Sequence, residues 1–519
     1  YRLPANADLE TVRKAAEELE NRKAAHTGDL SLVPEESTPP QNGHRAVSSV
    51  QLYGINQWSD LFTSRQLLAL TTLVRLINEV DDEVTRTVLA CSICRQSDYT
   101  TSLCTWHLTG EKMGHTFGRQ AIPFVWDFAE VCPFSTGSGN YAGAIKWVWL
   151  IADAPNYFNY TGQAHQGSAI VSPLPDDMAY MFFTDPPYYD AVPYGDLSDF
   201  FHVWQKRCGI ALSEHELTPK EEQAIVWHPG NIEERKSFEE KMSKAMAEGR
   251  RVLAPSGVGC VVFAHKSTSG WEAQMQAMVE AGWTITGSWP IDTEMGARMN
   301  AMGTASLASS IHLVCRPRED RDGNLIEQVG DWRDVLSELP GRISAWLPRL
   351  ASEGVVGADA IFACLGPALE IFSRYSSVEK ASGEVVPLRE YLEHVWAEVA
   401  RQALNMIFEG ADASGFEEDA RLTAMWLWTL RTEANGNGAD AEKATSLPGY
   451  TLEYDAARKI AQGLGCHLEN LIHLVEVKGD KAMLLSAESR ARYLFGKEDA
   501  RATAKRRKKK TGPVQQDLF

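Results

Sequence analysis

Apolar residues recur along this chain with two different periods, and their alternation predicts its elements. Residues 9–25 are charged and read as a surface helix. Residues 27–48, with Pro39-Pro40 and Gly43, read as a linker. From about Ser64 to Arg95 the apolar positions keep a helical period and predict one long amphipathic helix. A loop-rich stretch follows, up to about Ala144. The region 178–316 is the most ordered. Met178 to Thr184 is an apolar run ending in Asp185-Pro186-Pro187-Tyr188, a buried strand entering a loop. Leu197, Phe200, Phe201 and Trp204 mark a helix, and residues 232–253 another. Ser256-Gly257 turns the chain into a second strand, Val258 to Phe263. Trp271 to Ala281 is helical and Gly282 ends it. Trp283 to Thr286 and Ser309 to Cys315 are the third and fourth strands. Alternating strands and helices place this region in the α/β class, with a mostly parallel, doubly wound, Rossmann-like sheet. No helix separates the last two strands, so the final one is expected to return antiparallel. Beyond about residue 320 the pattern is helical. Leu388, Tyr391, Leu392, Val395, Trp396, Val399, Ala403, Leu404 and Ile407 form one core-facing stripe. The expected partition is a helix and linker over 1–48, a catalytic domain over 49–316, a mainly helical domain over 317–500 and a basic tail over 501–519.

Composition adds limits. The 519 residues leave room for two or three domains. No apolar run approaches the roughly 18 residues of a membrane span. Nine cysteines, an odd number scattered from Cys91 to Cys466, suit a reducing compartment. A cytoplasmic protein is expected. The chain starts Tyr1-Arg2-Leu3-Pro4, without a visible secretory leader or an initiator Met, and reads as a fragment or as a chain numbered from a processed or ordered start. A net charge of −18 argues against wholesale phosphate binding, so a nucleic-acid enzyme would need local basic patches. Lys505-Arg506-Arg507-Lys508-Lys509-Lys510 is one.

Asp185-Pro186-Pro187-Tyr188 carries the sharpest chemistry. Two consecutive prolines fix the backbone and remove two N–H donors, leaving nearby carbonyls as rigid acceptors. An exocyclic amine has two hydrogens to donate. The Asp185 carboxylate can accept one and the Pro186 carbonyl the other. Pro187 rigidifies the loop, and Tyr188 offers a face on which an extruded base can stack. Acceptors on both hydrogens favour a tetrahedral nitrogen whose lone pair points at a methyl sulfonium. A chance match of this type in such a chain is expected on the order of one time in a hundred.

This tetrapeptide resembles the catalytic motif of amino-methylating DNA methyltransferases. The longer run Thr184 to Asp190, continuing through Tyr194, Asp196, Leu197, Ser198, Asp199, Phe200 and Phe201, is similar to the large prokaryotic adenine-specific DNA methylases that carry a zinc ribbon. Thr116 to Ala121, Trp126 to Glu130, and Gly366-Pro367-Ala368-Leu369-Glu370 resemble the same group. The resemblance runs to about residue 498. It implies a methyltransferase sheet, S-adenosyl-L-methionine as cofactor, DNA as partner, and a place in restriction-modification or phage defence. It further implies that Gly167 and Ser168 lie near the cofactor adenine, and that Phe62 and Thr63 belong to a cofactor-side motif in which Ser64 stands where Pro is usual.

One part of the pattern is missing. The only candidate for the glycine-rich cofactor cradle, Gly137-Ser138-Gly139-Asn140-Tyr141-Ala142-Gly143, follows Pro133-Phe134-Ser135 instead of a strand. An upstream part or a separate subunit is therefore expected to carry that cradle. Cys91, Cys94, Cys104 and His107 have an acceptable zinc spacing. However, Cys91 and Cys94 sit at the end of a predicted helix, where burial explains them, and no metal is expected. Gln515-Gln516-Asp517-Leu518-Phe519 resembles the peptides that dock onto bacterial sliding clamps. Alternatives stay open: methylation of a cytosine amine, more remotely of RNA or a protein glutamine, and a non-catalytic DNA-binding or assembly subunit.

Overall fold

The structure is a computed structural model. It describes residues 3–485 except 45, 48, 109, 154–161, 191, 211–214, 222, 229–230, 265–267, 292–309, 354, 356–359, 361–362, 408–450, 455–456, 459–460, 462–467, 469–470 and 479–480. The basic run at 505–510 and the terminal peptide at 515–519 lie outside the described residues. The chain is mixed α/β and divides into two compact units. The first comprises 1–168 and 190–234, and the second 169–189 and 235–519.

The first unit starts with α1 (Asn6–Ala25). The single helix expected over 64–95 is two, α2 (Ser64–Asn78) and α3 (Glu83–Asp98). Asp82 makes the break. Its side chain accepts the Thr85 N–H at 2.8 Å and so caps a new helix instead of continuing the old one. A short hairpin, β1 (Trp106–His107) with β2 (Lys112–Met113), precedes α4 (Tyr141–Ala152). After β3 (Ala179–Thr184), which belongs to the second unit, the chain returns with α5 (Tyr194–Arg207). Trp58, Leu61, Phe62, Leu70, Ile93, Phe200 and Trp204 share one core.

Residues 27–48 are not a spacer. Val33, Glu36, His44 and Val47 are buried. The Arg207 guanidinium gathers the segment, donating to the carbonyls of Ser31 and Val33 and to the Glu36 carboxylate.

In the second unit, α6 (Ile232–Val252) leads into β4 (Leu253–Phe263), then α7 (Thr268–Glu280), β5 (Trp283–Ile291) and β6 (Ser310–Pro317). The sheet order is β3-β4-β6-β5. β3 pairs parallel with β4, as in Phe183 with Cys260. β6 runs antiparallel to both β4 and β5. The last strand thus returns antiparallel, as its sequence pattern leads one to expect. The turn expected at Ser256-Gly257 is instead an irregularity within β4, where the β3 register shifts between Ala179–Leu253 and Met181–Val258. Arg316 donates to the Ser256 and Gly257 carbonyls that the shift leaves over, at 2.9 and 3.0 Å. α6 lies close on the sheet: a Cβ at Gly249 would fall 2.5 Å from the Phe182 ring, and that ring stacks on Trp283.

The remainder is less purely helical than its sequence pattern. It comprises β7 (Val329–Asp331), α8 (Trp332–Ser352), α9 (Leu365–Ser373), β8 (Ser377–Glu379), α10 (Leu388–Ile407), and the antiparallel strands β9 (Thr451–Glu453), β10 (Val475–Lys478) and β11 (Lys481–Leu484). The stripe from Leu388 to Leu404 is buried as its spacing predicts. Among the described residues, no helix is long and apolar enough to cross a membrane.

Candidate active site

β3 pairs through Thr184, opposite Val261, and then releases the chain into Asp185-Pro186-Pro187-Tyr188. The loop therefore sits at the carboxyl end of a strand, where open α/β sheets bind ligands. Asp185 is exposed and its carboxylate has no hydrogen bond or ion pair among the described residues. Pro186 is buried. The Pro187 carbonyl accepts the Tyr189 N–H at 3.2 Å, while the Pro186 carbonyl accepts no hydrogen bond from a described residue. The half-buried Tyr188 ring stands edge-on to Phe263 at 5.5 Å and 73°, and Phe263 in turn meets the buried Trp271 at 5.0 Å.

Tyr189 is the residue that sequence reading missed. Its φ is +44°, a left-handed conformation that costs a non-glycine residue about 1–3 kcal/mol. Burial of its ring, edge-on to Phe238 at 5.2 Å, holds it there. No sequence signal marks it, because tyrosine is not a turn former. The strain bends the chain directly after the tetrapeptide, so the loop is held as a fixed bend.

The resembling residues that follow belong to the first unit. The Asp190 carbonyl accepts from Nε2 of buried His44 at 3.0 Å, while His44 Nδ1 accepts the Ala46 N–H at 3.2 Å. That pattern fits a neutral imidazole with its proton on Nε2. Asp199 accepts from the Thr218 N–H at 2.8 Å and from Lys220 Nζ at 2.7 Å, which ties residues 218–220 to α5. Asp196 is less well served: Lys220 stands 3.9 Å from Oδ1, and Oδ2 is buried without a hydrogen bond. Burial raises the Asp196 carboxyl above the usual carboxylate range, with Lys220 opposing and Asp199 adding to the rise. Neither Thr218 nor Lys220 could be assigned to this cluster from spacing alone.

The four expected cofactor residues also lie in the first unit. Phe62 is buried, stacked on Phe200 and edge-on to Trp204. Thr63 caps α2 reciprocally with Gln66, its hydroxyl accepting the Gln66 N–H at 3.3 Å and its own N–H going to Gln66 Oε1 at 2.7 Å. Gly167 is exposed and Ser168 half-buried, in an irregular segment. The Gly137–Gly143 run follows no strand. Asn140 caps α4 through the Gly143 N–H at 2.7 Å, and Gly139, at φ +81°, packs against Tyr99, Val131 and Met113. These glycines serve a turn and a cap, so the described residues offer no strand-to-helix cradle for S-adenosyl-L-methionine. Known protein families, characterised proteins and solved structures contain no match to this chain.

Two further expectations are placed. Cys104 is buried among Thr101, Thr116 and the Asp98 carbonyl, whereas on α3 Cys94 is half-buried and Cys91 exposed, so burial does not account for Cys91. Among the described residues no group of three or more His, Cys, Asp or Glu could hold a metal ion. Gly366 of the Gly366–Glu370 motif lies so close to β5 that a Cβ there would fall 2.5 Å from the Gly287 carbonyl carbon, and Glu370 pairs with Arg342. That motif has a packing reason.

Proposed function

We propose that this chain is the base-holding part of an S-adenosyl-L-methionine-dependent DNA methyltransferase acting on the exocyclic amine of adenine, in restriction-modification or phage defence. The observation that carries the reading is the rigid bend from Asp185 to Tyr189 at the carboxyl end of β3. Among the described residues it offers one carboxylate without a partner, one carbonyl at Pro186 that accepts no hydrogen bond, and one ring fixed on Phe263. An amine needs two acceptors and its base needs a stacking face, and these three groups match that need. A Rossmann-like reading of the second unit's sheet belongs to the same proposal. β3, β4 and β5 run in one direction and β6 returns between β4 and β5, the antiparallel last strand that the resemblance implies. The methyl donor supplies the sulfonium methyl. Its cradle is assigned to an upstream part or partner subunit, and the loop residues act on the target base and its amine.

The test is sequencing that detects methylated bases in DNA from cells carrying the gene, the Asp185→Ala variant, or neither. Modified adenine that disappears with Asp185→Ala supports the reading, modified cytosine moves it to the cytosine amine, and no modified base overturns it. A second reading, a non-catalytic DNA-binding or assembly subunit, is favoured by the structural use of Gly137–Gly143. Calorimetry separates the two. An enzyme part is expected to bind S-adenosyl-L-methionine only once the missing part is supplied, an assembly subunit in neither case. Tight, stoichiometric binding by this chain alone would contradict both.

A further inference from the structure

The first unit holds a second aromatic feature, distinct from the tetrapeptide. Tyr53 and Phe124 lie face to face, ring centroids 4.0 Å apart and 15° from parallel. Trp126 stands nearly perpendicular to Phe124, at 5.5 Å and 84°. All three rings face solvent: Tyr53 is 54%, Phe124 40% and Trp126 95% exposed.

The backbone beneath them is anchored. Ile122 is buried and its N–H donates to the Ala46 carbonyl at 3.0 Å; Val125 packs on the core. With Ile122 and Val125 turned inward, Phe124 and Trp126 are left outside. On the other side Val50 is buried, Gly54 closes the short helix Val50–Tyr53 at φ +82°, and Gln51 donates to the Thr38 carbonyl at 3.0 Å. Three large rings are thus presented to water by a framework that could have turned them in. The backbone that carries them is already ordered, so its ordering adds little to the cost of binding.

We infer that Tyr53, Phe124 and Trp126 form a stacking site for unpaired nucleobases of a DNA strand. The parallel pair already has a spacing close to that of stacked bases, and Trp126 offers a free face at right angles to it. A flat ring can lie on one plane with its edge against the other. Arg119, on the same loop, is exposed and has no ion pair among the described residues, so a cation is available to a phosphate. The inference rests on the reading that DNA is the substrate. Extruding a base for methylation leaves unpaired bases, and such a platform would hold them without regard to sequence.

Fluorescence anisotropy with labelled oligonucleotides tests it on the full chain. Wild type, Trp126→Ala, Trp126→Tyr and Tyr53→Ala are each titrated with single-stranded DNA, with an otherwise identical strand of abasic sites and with duplex DNA. Expected is a roughly 5- to 100-fold loss of affinity for the base-bearing strand in Trp126→Ala and Tyr53→Ala. Recovery in Trp126→Tyr and no change on the abasic strand complete the expectation. If wild type binds DNA and the alanine variants match it, the stacking site is wrong while the DNA reading stands. If wild type binds neither strand nor duplex, the DNA reading falls and this inference with it. If Trp126→Ala instead lowers the oligomeric state in sedimentation with oligonucleotide affinity unchanged, the rings are a protein interface and the inference is overturned.

Discussion

Arg207 grips Glu36 through two parallel bonds, Nη1 to Oε1 at 3.0 Å and Nη2 to Oε2 at 3.1 Å, with both side chains almost wholly buried. Removing one partner of such a pair leaves the other as an uncompensated buried charge. Glu36→Ala is expected to cost about 3–5 kcal/mol in urea unfolding of the full chain. Glu36→Gln, which keeps one acceptor, is expected to cost less. A loss below about 1 kcal/mol for Glu36→Ala would mean that Arg207 finds water instead.

Gly366 governs how closely α9 approaches β5. An added methyl meets backbone atoms of Gly287, at 2.5 Å from its carbon and 2.7 Å from its oxygen, and backbone has little room to give. Gly366→Ala is expected to destabilise the chain by about 1–3 kcal/mol, read as a fall in unfolding midpoint. Gly341→Ala, in open space on α8, is the control and should cost nothing. Equal midpoints for the two variants would remove the packing explanation of the Gly366–Glu370 motif.

Asp196 should leave a mark on the pH dependence of stability. Its carboxyl is raised in the folded chain, so the folded state holds the proton more tightly than the unfolded state. Stability contributed by this group therefore falls as pH rises from the ordinary Asp value, about 4, through the raised folded value, and the penalty is complete above it. Asp196→Asn removes that titration. The variant's midpoint relative to wild type is expected to be higher at pH 7 than at pH 4. The opposite order would show that Lys220 outweighs the burial.

Under the proposed function, Tyr188→Ala is expected to weaken binding of a flipped base by about 1–3 kcal/mol, followed with a fluorescent base analogue at the target position. Binding of S-adenosyl-L-methionine to the assembled enzyme should be unchanged. Parallel loss of both affinities would mean that the ring supports the loop through Phe263 and does not hold the base.

In the second unit Val258 to Phe263 was legible as a strand because it is a continuous apolar run, whereas Met178 to Thr184, read as a buried strand, is a strand that leaves Tyr180, Met181 and Phe183 more than half exposed. The Asp185–Tyr188 loop was legible because two prolines after a strand leave few conformations. The break at Asp82 was not, since the apolar period continues across it into Leu89 and Ile93 and outweighs one capping residue. The packing of residues 27–48 was hidden for a different reason. They lack periodicity, and Arg207, which collects them, lies more than 150 positions away in the chain. The strain at Tyr189 and the half-served Asp196 arise only from tertiary neighbours, Phe238 in one case and Lys220 in the other. No local pattern encodes them.

The first unit is discontinuous in sequence, and this has a consequence for its synthesis. Residues 169–189 leave it for the second unit before 190–234 return to complete it. A nascent chain that has emerged only to residue 168 lacks α5, and with it Phe200, Trp204 and Arg207. Trp58, Phe62 and Glu36 then wait without their partners. At about 5–20 residues per second that interval lasts several seconds, during which a half-built apolar surface is open to chaperones and to neighbouring chains. A ribosome pause or a truncation between residues 168 and 207 would therefore yield an aggregation-prone fragment, whereas a stop shortly after residue 234 would release every segment that the first unit needs.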